Sequence, residues 1–155
     1  MTVAVSHPAE WQPQLGPQNR NYSEVTRYFA NFPLRDPCTT EPNGVSCHDN
    51  EMGVFPTNGV LVGIGWTEGG PGGVSTDALL SRGSPTTIDG RRAAQITSDG
   101  TSCEGVGADH SLAYLIDVGA HDLVVVVEFC WDGDATAVAA QVHDTVSKLT
   151  VTGRP

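Results

Sequence analysis

The chain has 155 residues, room for one hydrophobic core and not for two, and its 18 Asp and Glu against 8 Lys and Arg give a net charge of −10. That balance excludes nucleic acid and direct membrane insertion. The first needs a cationic footprint, and no apolar run approaches the roughly 18 residues of a spanning helix. With 39% hydrophobic and 17% charged residues, the composition is that of a folded domain, not of a disordered chain.

Residues 1–20 read as a flexible arm, because Pro8, Pro13, Gly16 and Pro17 interrupt them without any periodicity. Residues 21–155 read as a single α+β domain. Asn21 with Glu24 three residues on is a variant capping box. Tyr22, Val25, Phe29 and Phe32 then recur at helical spacing up to Pro33, which predicts an N-terminal helix. Residues 36–51 predict a polar loop holding Cys38 and Cys47.

Short strands follow. Met52–Phe55 and Val60–Ile64 flank the turn Pro56-Thr57-Asn58-Gly59. After the Gly-rich stretch 69–73, a short helix is expected over Thr76–Ser81. Asp89-Gly90 predicts a hairpin joining Thr86–Ile88 to Arg91–Thr97, and Gly119-Ala120 a hairpin joining Leu112–Val118 to Leu123–Trp131. The run Leu123–Val127 is apolar on both parities, as in an interior strand. Asp134 suits a helix cap, and Val138, Val142, Val146 and Leu149 form one stripe of a C-terminal helix. The expected fold is an antiparallel sheet of about five to seven strands built from hairpins, packed against an N-terminal and a C-terminal helix.

The four cysteines, Cys38, Cys47, Cys103 and Cys130, form no C-x-x-C pair, so neither a zinc ribbon nor a thioredoxin motif is present. An even count in a small acidic domain predicts two disulfides and an extracytoplasmic, secreted or cell-surface location. Three connectivities are open. The Pro42-Asn43-Gly44 turn favours Cys38–Cys47, leaving Cys103–Cys130, and the two loops would stabilise by about 2.5 and 3.5 kcal/mol in the chain-entropy model. The first residues lack the basic and apolar regions of a signal peptide, so an exported chain of this kind is expected as a mature form or as the outer domain of a longer protein.

The stretch Thr87-Ile88-Asp89-Gly90-Arg91-Arg92-Ala93-Ala94, the later Cys103, the apolar hairpin ending at Cys130 and the closing helix with Leu149-Thr150-Val151 resemble the exported domains of actinobacterial small lipoproteins and receptor-like proteins. Many of these look like the PsbP/Mog1 type of α+β sandwich. The resemblance covers roughly residues 52–152 and implies a non-enzymatic module with no catalytic motif and no cofactor.

The residues themselves point the same way. No serine sits in a G-x-S-x-G elbow, and Glu68 stands where the run beginning Gly63-Ile64-Gly65 would need a third glycine to cradle a pyrophosphate. Four of five histidines adjoin an aspartate (His48, His110, His121 and His143), but adjacent side chains diverge on strands and helices alike, and no H-x-H or H-x-x-x-H spacing exists. Asp132-Gly133-Asp134 supplies two oxygen ligands without the rest of a calcium loop. No metal site is expected. Candidate binding residues are Trp66 at a strand end beside the Gly-rich stretch, Glu128 interrupting the most apolar strand, and Arg91, a possible partner for that carboxylate together with Arg92. The reading is therefore a binding or interaction module for a small ligand or protein partner. The alternatives are an enzyme assembling Glu128, His110 and His121 from distant positions, and a purely structural, tethering domain of a surface protein.

Overall fold

The computed structural model describes residues 2–14, 25–34, 38–42, 44–47, 55–68, 74–98, 107–119, 123–133 and 135–152. They carry β1 (Thr2–Ala4), β2 (Gln12–Gln14), β3 (Val25–Ala30), β4 (Cys38–Glu41), β5 (Gly44–Cys47) and β6 (Val60–Glu68). Helix α1 (Thr76–Leu80) precedes β7 (Ser84–Ile88), β8 (Arg91–Ser98), β9 (His110–Asp117) and β10 (Leu123–Trp131), and α2 (Ala135–Ser147) precedes β11 (Thr150–Thr152). Seven strands make one antiparallel sheet in the order β2-β3-β6-β10-β9-β8-β7, while β1–β11 and β4–β5 form separate two-stranded sheets. β7 to β10 run as a meander, and its last strand lies beside β6. Both outer strands of the large sheet carry a proline, Pro13 and Pro85, so neither edge offers a complete ladder to another chain.

The two hairpins read from the sequence are present. Asp89 and Gly90 both take positive φ, 50° and 71°, as a primed two-residue turn requires, and Gly119 takes φ 72° after β9. The turn before β6 is also as expected: the Gly59 N–H donates to the Pro56 carbonyl at 2.7 Å, with Asn58 left-handed. Short helix α1 starts on Ser75, whose Oγ accepts from the Ala78 N–H at 3.2 Å.

β10 lies at the middle of the sheet and feeds clusters on both of its faces. Val125, Val127, Phe129 and Trp131 meet the α2 stripe of Val138, Val142 and Val146, together with Leu149 and Val151. On the other face Val124 packs with α1 residues Leu79 and Leu80, and Cys130 packs with Phe55 and Leu61. This is the two-sided burial that its apolar run predicted.

The N-terminal half corrects the sequence reading. Where a helix is expected, Val25–Ala30 is a strand, hydrogen-bonded between β2 and β6. The four-residue spacing of Val25 and Phe29 fits a period of two as well as a helical period. Val, Thr, Tyr and Phe side chains favour a pleated surface, and Tyr28 and Phe29 pack into clusters on opposite faces of the sheet. The helices therefore lie at α1 and α2, with none over Val25–Ala30.

The first twenty residues, read as an arm, contribute β1, paired with β11, and β2, paired with β3. Between them Trp11 is fully buried and packs on Phe129 at a centroid distance of 6.4 Å. The loop expected at 36–51 contains the β4–β5 hairpin, with Cys38 directly opposite Cys47. Of the strand expected at Met52–Phe55, only Phe55 is among the described residues, and it lies outside any strand.

Candidate functional site

Cross-strand register decides which side chains can meet, because directly paired residues share a face and neighbours along a strand do not. Val127 pairs with Ile64 and Tyr114 on the α2 face, and all three are buried. One position on, Glu128 pairs with Gly63 and Ala113 on the opposite face. Tyr28 pairs with Gly63, and Ile96 with Ala113, so one row across five strands reads Tyr28, Gly63, Glu128, Ala113, Ile96.

Every member of this row is half-buried. The clusters at either end are closed. On one side Ala30, Leu61 and Cys130 lie under Phe55 and Ala108. On the other, Ala94, Leu115 and Val124 lie under Leu79 and Leu80. Between these covered ends Glu128 has Gly63 on one side and Ala113 on the other as its cross-strand neighbours. Strands are about 4.8 Å apart, which places Tyr28 roughly 10 Å from Glu128 across the glycine strand.

The other sequence-derived candidates lie elsewhere. Trp66 pairs with Val125 and is 36% exposed at the end of β6, on the α2 face. Arg91 shares that face and is committed to the backbone: its Nε donates to the Val151 carbonyl at 3.2 Å and its Nη1 to the Val118 carbonyl at 3.3 Å. Asp89 completes the arrangement by accepting from the Val151 N–H at 2.9 Å. The two side chains thus give β11 on one edge the donor and acceptor that β1 supplies on the other.

Arg92 pairs with Asp117 at 2.8 Å and with Asp77 at 2.5 Å, an arrangement half open to solvent. Burial works to raise the Asp117 carboxyl. Hydrogen bonds from Arg92 and from the Gly119 N–H outweigh it and hold the group below the ordinary carboxylate range. Burial alone pushes the Tyr114 phenol up.

His110 pairs with Trp131 and stacks on it, 5.5 Å between centroids and 29° between planes. It therefore lies on the α2 side, with the sheet between it and Glu128. These two cannot act as an acid–base pair on one substrate. His121, His48 and Cys103 lie outside the described residues. His143 is exposed on α2, where its neighbour Asp144 bonds Lys148 at 2.6 Å, one helical turn away. Just beyond the His110–Trp131 pair, Asp109 and Asp132 hydrogen-bond through their carboxyls. That bond, desolvation and the charge of Asp109 raise Asp132 above the ordinary aspartate value. Among the described residues no group of three or more metal-ligating side chains forms, and no helix is long and apolar enough to cross a membrane.

Cys130 is disulfide-bonded, to a residue whose side chain is not among those described. The row around Glu128 was half visible in the sequence: Glu128 stood out, but Tyr28, Gly63, Ala113 and Ile96 join it only through register. Small residues on the flanking strands and one acid within an apolar run were the available signal.

No family model matches the chain, and no curated protein matches it significantly. Among solved structures, a Bacteroides thetaiotaomicron protein crystallised at 1.50 Å is 10% identical, with a TM-score of 0.42 over 98% of this chain and 46% of that one. This chain spans less than half of that protein, and at such a level of likeness neither fold family nor function passes between them.

Proposed function

We propose that this chain is a non-enzymatic, extracytoplasmic binding module, and that its site is the sheet face opposite α2, centred on Glu128. The observation that carries the reading is the row Tyr28, Gly63, Glu128, Ala113, Ile96, half-buried between two closed clusters. A carboxylate flanked across the sheet by Gly63 and Ala113, with an aromatic ring two strands away, suits an organic cation. The charge meets Glu128, and the alkyl part meets Val126 and Ile96. The net charge of −10 draws such a ligand toward the protein. The Cys130 disulfide supports an oxidising compartment. Of the acid–base alternative, Glu128 and His110 occupy opposite faces, and His121 lies outside the described residues.

Amide chemical shifts provide the test, with tetramethylammonium, putrescine and arginine methyl ester as probes and their neutral isosteres as controls. Saturable shifts at Tyr28, Gly63, Glu128 and Ala113 are expected with at least one cation, and their loss in Glu128→Gln. If no cation gives saturable shifts there, or if the substitution leaves them unchanged, the site is wrongly placed.

A further inference from the structure

The β4–β5 hairpin is not part of the seven-stranded sheet. It is a sheet of its own, its strands are four residues each, and no other described strand is hydrogen-bonded to it. An isolated two-stranded hairpin of this length is marginal in water, because it buries too little to offset the ordering of its chain. Yet its register is definite: Cys38 with Cys47, Thr39 with Ser46, Thr40 with Val45, Glu41 with Gly44. The two cysteines are the outermost pair. Directly opposed residues of an antiparallel pair have Cα atoms about 4.5–5.5 Å apart, inside the range a disulfide spans.

We infer that Cys38 and Cys47 form a disulfide that staples this hairpin, and that its reduction opens the hairpin while leaving the seven-stranded sheet folded. With Cys130 already bonded, this pairing leaves Cys103 as the partner of Cys130. The inference is independent of the cation site.

The chemistry needs a disulfide oxidant, as an oxidising compartment supplies. One thiolate attacks a sulfur of the oxidant's disulfide and expels a thiolate. The second cysteine, having given up its proton, then attacks the sulfur of the first and displaces the oxidant's remaining thiolate from the mixed disulfide. One S–S bond is made and one broken, and the oxidant leaves as a dithiol carrying two electrons and two protons. Closing a loop of this size shifts the opening equilibrium of the hairpin by on the order of fifty- to a hundredfold in the chain-entropy model.

Peptic digestion of unreduced protein at low pH, which prevents thiol exchange, tests the pairing. The expected product is a peptide holding both residues at a mass two hydrogens below its reduced form. Hydrogen exchange on the double variant Cys38→Ser/Cys47→Ser tests the role. Amides of 38–47 are expected to exchange roughly fifty- to a hundredfold faster, with β6, β9 and β10 as protected as before. Cys38 or Cys47 found free or bonded to Cys103 or Cys130 overturns the pairing. Unchanged exchange in the hairpin, or lost protection throughout the sheet, overturns the role. Should the double variant not fold, exchange on the wild type after mild reduction, with Cys130 mapped as still bonded, gives the same comparison.

Discussion

Trp11 gives the sharpest test of how the N-terminal segment belongs to the fold. Its side chain is fully buried between the large sheet and its α2 cover, and it stacks obliquely on Phe129. A buried tryptophan removes about 150–250 Å² from water, worth about 4–6 kcal/mol at 25 cal/mol/Å². Against this, the indole Nε1–H has no hydrogen-bond partner among the described residues, a cost of about 1–3 kcal/mol. Trp11→Ala forfeits the first and relieves the second, so a net loss of about 3–4 kcal/mol is expected, close to measured costs for truncating core aromatics. For a chain of this length that lowers the melting temperature by about 6–15 °C.

Trp11→Phe separates the two contributions. It keeps a ring against Phe129 and removes the orphan donor, so cavity and relief nearly cancel and the net change is expected within about 1 kcal/mol. Urea denaturation of both variants followed by circular dichroism gives the numbers. A Trp11→Ala cost under about 1 kcal/mol would mean that residues 2–14 are not docked. A Phe variant as unstable as the Ala variant would mean that the indole N–H is bonded after all.

Four further outcomes follow from the same geometry. Arg91→Ala removes two charged donors from backbone carbonyls and frees one edge of β11. A loss of about 2 kcal/mol is expected, together with faster amide exchange at Val151, and an unaffected Val151 amide would contradict the clasp. Asp132 is raised by Asp109, so its stabilising contribution is complete below the ordinary aspartate range and is lost as pH rises through the raised value. Asp132→Asn should therefore be more stable than wild type at neutral pH, with the gap closing on acidification, and a constant gap across the titration would refute the shared proton. Asp117 has the opposite sign: its contribution is present above the ordinary aspartate range and fades as pH falls through the lowered value, so Asp117→Asn should lose stability at neutral pH and approach wild type in acid. Gly133→Ala places a Cβ 2.5 Å from Asn58 Oδ1 at φ +94°, whereas Gly90→Ala meets open space at φ +71°. Thermal melts should show the first clearly more damaging, and equal costs would remove the steric argument.

The elements legible in the sequence are those whose signals are local. The Asp89-Gly90 turn fixes its own backbone, the α2 stripe repeats over three turns, and the β10 run is apolar on both parities whatever surrounds it. Val25–Ala30 misled for a physical reason. Apolar residues four apart satisfy both periods, and what decided between them was the presence of β2 and β6 as neighbours, a non-local fact. Trp11 lay in a stretch rich in proline and was read with its surroundings. A tryptophan in such a stretch is itself a sign of docking, since so large an apolar surface is seldom left in water.

The candidate site illustrates the same limit. Glu128 was visible as an anomaly, but the sequence has no record of its register, and the register determines everything about its chemistry. One residue of slip would turn the carboxylate into the α2 face, among Val125, Val127 and Phe129. The actual register sets it opposite Gly63 and Ala113, two small residues on the facing strands, and sends His110 and Arg91 to the other side. Two of the residues that sequence reasoning grouped with Glu128 are thereby separated from it by the thickness of the sheet. Gly63 and Ala113, which it did not group with Glu128, are the carboxylate's cross-strand neighbours.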